Sequence, residues 1–326
     1  MITFIHTADW QLGKPFSRVA DDGKRTRLQE QRIAAIRRIG EVVREKNAAF
    51  VVVAGDVFDS NSPTNTTVAD ACDAIKSVGV PVYVIPGNHD HAGPGSVWSQ
   101  PFFTRVSQER APNLRVLLEP VPVQEAGYIL FPCPLSRRQS GEDPCTWIRG
   151  YDFTACDDRP RIVLAHGSTL SFRQESDEED GGRQANLIEL DRLPLSEIDY
   201  VALGDWHGMV QAGANAWYSG SHETDRFPKT GQRTGHVAVV QVGRKSPPVV
   251  QPVQTGQTRW LVHSETFATD AGPAALKHAL DQLVGDGERG LSLLKLSLGG
   301  SLGLAGHAEL AALLEEWQAG LLDLRL

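Results

Sequence analysis

The sequence has no uninterrupted apolar run that approaches the roughly 18 to 20 residues of a membrane span. It also has no basic region followed by an apolar signal segment near its start. These two absences predict a cytoplasmic protein with no membrane contact. With 326 residues and 41% hydrophobic content, the chain contains enough apolar material for one large domain plus an appendage, or for two domains.

Cysteine is scarce, and basic residues are not in excess. The four cysteines form no Cys-x-x-Cys pair, so neither a zinc knuckle nor a disulfide framework is supported, and we interpret them as reduced, mostly buried thiols. The formal net charge is −8 at pH 7, whereas proteins that simply coat nucleic acid carry a Lys/Arg excess. A nuclease is compatible with this charge, because bound divalent metals reverse the sign at a cluster of carboxylates.

Short apolar runs alternate with amphipathic stretches from the start of the chain. "ITFIHTAD" and "AAFVVVAGD" lie on either side of the amphipathic "RLQEQRIAAIRRIGEVVREKN", which predicts strand, helix and strand. Apolar runs without alternation are typical of strands that are covered on both faces. The pattern predicts an α/β sandwich in which helices pack outside two sheets.

A composition shift near "RKSPPVVQPVQTGQTRW" predicts a domain boundary. We expect one domain over residues 1–255 and a small α/β domain over residues 256–326. The second part shows the pattern of strand, helix, strand, helix and a final apolar "LLDLRL". Because the chain ends on an apolar strand without a polar tail, we expect it to be truncated at its C-terminus.

Polar side chains follow five of the predicted strands at their carboxyl ends, where open α/β sheets place ligands. They are Asp9 and Gln11; Asp56 and Asp59; Asn88, His89 and Asp90; His166; and Asp205 and His207. One such aspartate is usually a helix cap or a turn residue. Five strand ends of this kind, four of them beside a glycine that permits a sharp turn, indicate convergence on one site.

The predicted ligands offer oxygen and nitrogen but no thiolate, which suits Mn²⁺, Mg²⁺, Fe²⁺ or Zn²⁺. Two such ions a few ångströms apart need a carboxylate that bridges them. Asp56 is our choice for this bridge, since an aspartate in a tight strand-end turn can turn one oxygen to each ion. Such a pair activates a water and clamps the oxygens of a phosphoryl group.

The motifs "GDVFD", "GNHD", "AHG" and "GDWHG", in this order, resemble those of the calcineurin-like metallophosphoesterases. Within that superfamily, "IHTADWQLGK", "VAGDVFDSNSPT" and "WYSGSHETDRF" are similar to the DNA-repair nucleases related to the SbcD subunit of bacterial SbcCD. The resemblance covers residues 1 to about 255. It implies the sandwich of two mixed β-sheets flanked by helices that is typical of this family, followed here by the small α/β cap.

Carried over position by position, the resemblance implies a site for two metal ions. The ligands of the first metal would be Asp9, Gln11, Asp56 and His207. The ligands of the second would be Asp56, Asn88, His166 and Asp205. His89 is implied to face the scissile phosphate, where Asp59 keeps it oriented and a protonated imidazole stabilises transition-state charge or donates to the leaving oxygen.

Two of these positions depart from the family pattern. Gln11 stands where the family has the histidine of Asp-x-His, and Asp205 stands where it has the first histidine of Gly-His-x-His. Three aspartates against two divalent ions leave a formal charge of about +1, where the usual set leaves about +2. The more oxygen-rich site favours Mn²⁺, with Mg²⁺ and Fe²⁺ as further candidates and Zn²⁺ as a poorer fit.

We therefore predict a two-metal, Mn²⁺-dependent DNA phosphodiesterase, an endonuclease or exonuclease that favours single-stranded over duplex DNA and serves repair, with an ATPase as its partner subunit. No base-reading module is evident in the sequence, so we expect cleavage to follow DNA structure rather than sequence. Two alternatives stay open. One is a metallophosphoesterase for small phosphoester substrates, and the other is a catalytically decayed scaffold subunit of an ATPase–nuclease complex, to which Gln11 and Asp205 point.

Several residues near these motifs have simpler interpretations than a role in chemistry. Trp10 and Trp206 each lie between two predicted ligands, and we interpret both as packing beneath the site rather than stacking on bases. His222 is interpreted as a loop residue with a local hydrogen bond. Arg32 lies on the first predicted helix, where long basic side chains usually cover an outer apolar edge.

Overall fold

The computed structural model of the protein describes residues 1–171, 185–227, 231–268, 272–285 and 287–326. The chain forms two compact units. The first unit consists of Met1–Lys14, Arg32–Glu223 and Gln232–Gly256. The second consists of Pro15–Gln31, Thr224–Gly231 and Gln257–Leu326.

The elements of the first unit alternate between strands and helices along most of its length. In chain order its strands are β1 (Ile2–Thr7), β2 (Val51–Ala54), β3 (Val82–Ile85), β4 (Leu114–Val116), β5 (Val123–Glu125), β6 (Tyr128–Cys133), β7 (Arg161–His166), β8 (Ser168–Thr169), β9 (Leu187–Ile188), β10 (Tyr200–Gly204), β11 (Val210–Gly213), β12 (Ala216–Tyr218), β13 (His236–Val242) and β14 (Val249–Gln254). Its helices are the later part of α1 (Asp22–Lys46), then α2 (Asn65–Val78), α3 (Pro101–Arg110) and α4 (Thr146–Arg149).

Twelve of these strands form two mixed sheets. The strand order is β14-β13-β1-β2-β3-β4 in the first sheet and β11-β12-β10-β7-β6-β5 in the second. In the first sheet β1 runs parallel to β2 and antiparallel to β13, with Ile2 opposite Val242. In the second sheet β7 runs parallel to β6 and β10, while β11 is antiparallel to β12. The predicted fold of two mixed sheets flanked by helices is confirmed.

Aromatic side chains fill the space between the two sheets. Phe50 stacks on Phe4 and on Tyr128, with ring centroids 4.9 Å and 3.9 Å apart, and Tyr200 meets Phe4 edge-on at 5.5 Å. Aromatic pairs of this kind contribute about 0.5–1.5 kcal/mol beyond the burial of their area. The packing holds the strands of both sheets close together, and His166 at the end of β7 reaches the carbonyl of Ala54 at the end of β2.

The helices cover the outer face of the first sheet. Val51 and Val53 of β2 contact the helical side, where Ile36 of α1 and Ile75 of α2 are buried, while Val52 belongs to the core between the sheets. The all-apolar run in β2 therefore arises because both of its faces are covered.

The second unit contains a parallel sheet with its own core. Its elements are β15 (Arg259–Phe267), α5 (Ala274–Val284), β16 (Ser292–Gly300), α6 (Leu304–Gly320) and β17 (Asp323–Arg325). The strand order is β15-β16-β17, and the helices pack Leu276, Leu280 and Trp317 against Leu294 and Leu296. The predicted succession of strand, helix, strand, helix and strand is confirmed.

Two of the opening predictions about composition can be compared with the structure. None of the four cysteines forms a disulfide, and Cys72, Cys133 and Cys145 are buried, which confirms the prediction that most of them are buried. Among the described helices, none combines the length and the apolar character that crossing a bilayer requires.

Candidate metal centre

Four of the predicted ligands lie in strand-end turns with a left-handed backbone. Asp9 follows β1 at φ 54°, Asp56 follows β2 at φ 56°, and Asp205 follows β10 at φ 100°. Gln11, two residues after Asp9, has φ 39°. Such conformations cost on the order of 1–3 kcal/mol each in residues other than glycine, and they concentrate at functional sites. The fold therefore holds these four side chains in place against their local preference.

Two glycines permit the turns to approach each other. Gly55 has φ 92°, and a Cβ atom at this position would overlap the ring of His166. A Cβ atom on Gly87 would overlap the carboxylate of Asp56. Glycine is therefore required at both positions for steric reasons, which explains why the strand-end polar residues stand beside glycine in the sequence.

Asp9, Asp56 and His166 form a buried cluster whose potential ligand atoms all lie within 4.8 Å of one another. Oδ2 of Asp56 is 3.5 Å from Nε2 of His166. Nδ1 of His166 lies 2.8 Å from the carbonyl of Ala54, and since a carbonyl can only accept, Nδ1 carries the proton. This hydrogen bond turns the lone pair of Nε2 toward the carboxylates, as in many histidine ligands of metals.

Asn88 and Asp205 complete the group of residues predicted for the second metal. The amide of Asn88 lies 3.0 Å from Nε2 of His166, and with its nitrogen on this side it donates to both Asp56 oxygens at 3.2 Å and 3.1 Å. Oδ1 of Asp205 is 3.9 Å from Nε2 of His166, while its Oδ2 accepts a hydrogen bond of 2.7 Å from Ser168. The structure thus brings Asp56, Asn88, His166 and Asp205 together.

The residues predicted for the first metal are also neighbours, but Gln11 makes an unexpected contact. The backbone N–H of Asp205 donates to the carboxylate of Asp9 at 3.2 Å. Nε2 of Gln11 lies 3.5 Å from Nε2 of His207. The Gln11 oxygen, Oε1, accepts a hydrogen bond of 2.8 Å from Nζ of Lys14, a residue that sequence reasoning did not connect with the site.

His89 lies at the edge of this cluster, with 27% of its side chain exposed. Its backbone N–H donates to Oδ1 of Asp56 at 3.0 Å, which fixes the loop against the predicted bridging carboxylate. Its Nδ1 donates to the backbone carbonyl of Asp59 at 2.9 Å. Asp59 therefore orients His89 through its main chain, whereas the resemblance implied a role for its acid group.

The electrostatics of the cluster favour positive charge. Burial raises the pKa of Asp9 to about 6. Burial acts against the charged form of His166, but the carboxylates of Asp56, Asp9 and Asp205 outweigh it and raise the pKa of His166 to about 9. Burial also opposes ionisation of Asp56, yet the His166 and His89 rings lower its pKa. Buried carboxylates that draw a proton onto an imidazole provide the environment that a cation needs.

The donor set fits a divalent metal ion. Carboxylate oxygens, an amide oxygen and imidazole nitrogens are common ligands of divalent metals, and no described thiol takes part in the cluster. Of the residues in this cluster, Asp9 and Asp56 would serve the first predicted position, and Asp56 and His166 the second. Asn88 would then turn its oxygen, rather than its nitrogen, toward the metal.

Arg32 is a structural part of the site that sequence reasoning missed. Its side chain is buried, and its guanidinium donates to the carbonyls of Trp10 at 2.7 Å, Asp9 at 2.8 Å and Glu223 at 3.1 Å. The interpretation that Arg32 covers an outer edge is therefore wrong. The available signal was its spacing, because Arg32 lies four residues before Ile36 on the buried face of the helix.

Asp90 links two of the loops that form the site. It is buried, and its carboxylate accepts hydrogen bonds from the backbone N–H groups of Phe58 at 3.0 Å and Gly87 at 2.8 Å. Burial raises the pKa of Asp90 to about 7. The sequence identified Asp90 as a polar residue at a strand end. It did not indicate whether Asp90 would join two loops by hydrogen bonds or ligate a metal.

The two tryptophans beside the predicted ligands and His222 have different outcomes. Trp10 is buried and donates from Nε1 to Thr7 at 3.0 Å, and Trp206 is half-buried against the core of the second sheet, so the packing interpretation is confirmed for both. His222 is buried as well, and its Nε2 lies 2.8 Å from the carbonyl of Arg32. The expectation of a local hydrogen bond is wrong for His222, because its partner lies 190 positions away.

Two mixed sheets with a buried cluster of carboxylates and imidazole at their strand ends form a candidate site for divalent metal. Residues 2–240 match the family model described as "Calcineurin-like phosphoesterase", and the chain belongs to this family. Over 97 residues it is 31% identical to the uncharacterized metallophosphoesterase YhaO of Bacillus subtilis, an alignment that covers 28% of this chain and 24% of that protein. The crystal structure of TT1561 of Thermus thermophilus aligns with a TM-score of 0.42 and 11% identity, over 75% of this chain and 99% of that one.

Proposed function

We propose that this protein is a metal-dependent phosphodiesterase that hydrolyses DNA, with single-stranded DNA preferred over duplex, in cytoplasmic nucleic-acid repair. The observation that carries the proposal is the buried cluster of Asp9, Asp56 and His166 beside the partly exposed His89. The similarity of "WYSGSHETDRF" and "VAGDVFDSNSPT" to repair nucleases supports DNA as the substrate and an ATPase as a partner subunit.

Two divalent ions fit the proposal, and Mn²⁺ is the preferred one. Asp9, Gln11, Asp56 and His207 are assigned to the first position, and Asp56, Asn88, His166 and Asp205 to the second. When bound, the ions supply an activated water and a positive clamp for the phosphoryl oxygens. The protein holds the ligands rigidly, since Gly55 and Gly87 allow the close approach and the strand-end turns fix the direction of each carboxylate.

His89 is assigned as the proton donor. The carbonyl of Asp59 anchors Nδ1, so the second ring nitrogen is the one available to substrate. Burial disfavours the charged ring, but Asp56 and the Asp59 carbonyl outweigh it and raise the pKa of His89. A protonated ring at the exposed edge of the cluster can stabilise charge on a phosphate oxygen or protonate the leaving oxygen.

The test uses end-labelled single-stranded and duplex DNA with Mn²⁺, with and without chelator. We expect cleavage that chelator abolishes and that is faster on the single strand. His89→Gln should lower kcat by about 10²–10⁴-fold, the usual worth of a general acid, while Mn²⁺ binding persists. His91→Gln is the matched control, since His91 lies outside the assigned set and its ring accepts a hydrogen bond from the backbone N–H of Gly93. Hydrolysis of a small phosphoester with no cleavage of either DNA would overturn the DNA assignment.

The metal preference is tested separately. We expect higher turnover with Mn²⁺ than with Zn²⁺, because the assigned ligands contain more oxygen than the usual family set. Rates measured on the same DNA with each metal, added to chelator-treated protein, check this expectation. Maximal turnover with Zn²⁺ and none with Mn²⁺ would contradict it.

A further inference from the structure

Lys14 determines which atom of Gln11 faces the metal centre. An ammonium group only donates hydrogen bonds, so the atom of Gln11 that lies 2.8 Å from Nζ of Lys14 must be the amide oxygen. The amide nitrogen is then the atom that lies 3.5 Å from Nε2 of His207. Gln11 is buried, and its backbone N–H donates to the carbonyl of Asp56 at 2.8 Å. This hydrogen bond fixes the position of the Gln11 backbone, from which the side chain extends.

This orientation affects only one of the two metal positions. An amide nitrogen does not ligate a metal ion, so Gln11 can serve the first position only after its oxygen leaves Lys14. At the second position the amide of Asn88 must also turn, because its nitrogen faces Asp56 and His166, but among the described contacts no lysine holds the Asn88 oxygen. The two positions therefore differ in what their ligands must give up before an ion binds.

We propose that Lys14 is a positioning residue that weakens the first metal position by holding the Gln11 oxygen away from His207. The protein then binds one divalent ion tightly, at the second position, and one weakly, at the first. The inference rests on the two-metal centre of the proposed function and deepens it. A hydrogen bond from a charged donor has to be broken before the weak ion binds, which corresponds to about a 10- to 100-fold loss of affinity.

Isothermal titration with Mn²⁺, with metal content as a second readout, tests the proposal without any substrate. The wild type should show one tight and one weak site, with dissociation constants at least about tenfold apart. Lys14→Met should tighten the weak site about tenfold or more and leave the tight site unchanged. Gln11→His should do the same, since an imidazole nitrogen takes the place of the engaged oxygen. Lys76→Met is the control, because Lys76 is exposed on α2 and should change neither site.

A double variant separates release of the oxygen from simple removal of a positive charge. In Gln11→Leu the oxygen is absent, so adding Lys14→Met should produce little further tightening. An equal gain in the Gln11→Leu and wild-type backgrounds would show a charge effect alone and overturn the proposal. Lys14 is half-buried, and thermal unfolding of each variant confirms that changes in binding are not changes in folding.

The outcomes distinguish this inference from the proposed function. Two Mn²⁺ sites of equal affinity in the wild type would overturn the role of Lys14 and leave the two-metal phosphodiesterase standing. An unchanged weak site in Lys14→Met would do the same. If the wild type bound no Mn²⁺ at all, both the role of Lys14 and the metal centre on which it rests would be wrong.

Discussion

Asp56 contacts residues of two other loops in the cluster. It is buried, it faces His166 at 3.5 Å, and its Oδ1 accepts the backbone N–H of His89. Asp56→Asn keeps the shape but removes the negative charge that a shared ligand must supply. We expect Mn²⁺ affinity and phosphodiesterase rate each to fall on the order of 100-fold or more. Titration and rate measurements check this, with Asp73→Asn, half-exposed on α2, as the silent control.

His6 makes stability depend on pH. Its Nδ1 lies 3.0 Å from the hydroxyl of Tyr200 and its Nε2 lies 3.2 Å from the carbonyl of Leu203, a pattern that suits the neutral ring. Burial lowers the pKa of His6 from 6.5 to about 3. Below pH 6.5 the His6 ring is protonated in the unfolded chain but stays neutral in the folded chain, so the contribution of His6 to stability falls as pH drops from 6.5 toward 3.

The slope for His6 is about 1.4 kcal/mol per pH unit below its unfolded pKa of 6.5. Denaturant unfolding at about pH 7.5, 6 and 5 measures it. His6→Gln should be less stable near neutral pH, because Tyr200 loses part of its hydrogen bonding, but its stability should depend less steeply on pH. Parallel pH profiles for wild type and variant would show that His6 is not responsible.

The positions of the site residues could be predicted, whereas some of their contacts could not. Asp9, Asp56 and Asn88 follow parallel strands of the first sheet, whose carboxyl ends meet at one edge, so their proximity to one another follows from the pattern. His166 ends β7 of the second sheet, and its approach to them depends on how the two sheets pack. The contact between Lys14 and the Gln11 oxygen depends on the left-handed turn at Gln11, which no spacing rule describes. The hydrogen bond from His89 to the Asp59 carbonyl likewise depends on the path of the backbone and not on the residue type at position 59.

Arg32 connects helix α1 to the turn after β1. Arg32 donates to three backbone carbonyls, two of which belong to Asp9 and Trp10 in that turn. Arg32→Met leaves those buried carbonyls without these donors, at about 1–3 kcal/mol for each unsatisfied group. Arg32→Lys keeps the charge but loses the planar fork that reaches several acceptors.

We expect Arg32→Met to lower the free energy of unfolding by several kcal/mol, and Arg32→Lys to fold but bind Mn²⁺ about 10-fold more weakly. Denaturant unfolding and metal titration measure the two effects. Arg37→Met, on the exposed face of the same helix, should stay within about 0.5 kcal/mol of wild type. Unchanged Mn²⁺ affinity in a folded Arg32→Lys protein would show that the turn does not depend on the guanidinium.

Elements with two covered faces were predictable, and short edge elements were not. β2 consists of four buried apolar residues, so its composition alone indicates a strand. β4 and β5 have three residues each, with an exposed residue in the middle and half-buried ones on either side. Such strands carry too few side chains to show a period, and their pairing with β3 and β6 is decided by the tertiary fold.

At the scale of the whole molecule, metal binding should stabilise the fold. An ion that binds only the native state, at about 100 times its dissociation constant, adds about 2.7 kcal/mol to the free energy of unfolding. We expect Mn²⁺ to raise the unfolding temperature by several degrees and chelator to reverse the change. Asp56→Asn should show no such shift, and an equal shift in that variant would place the stabilising ion elsewhere.

The pairing of β1 with β13 has a consequence for how the protein is made. Ile2 lies opposite Val242, so β1, the first strand to be synthesised, pairs with a strand near the end of the first unit. Contacts between segments so distant in sequence form slowly, and an unpaired strand edge invites association with other chains. On the ribosome, β1 has no partner on this side until β13 emerges, and the residues assigned as ligands extend as far along the chain as His207. The nascent chain thus has no complete metal centre until nearly all of the first unit has been synthesised.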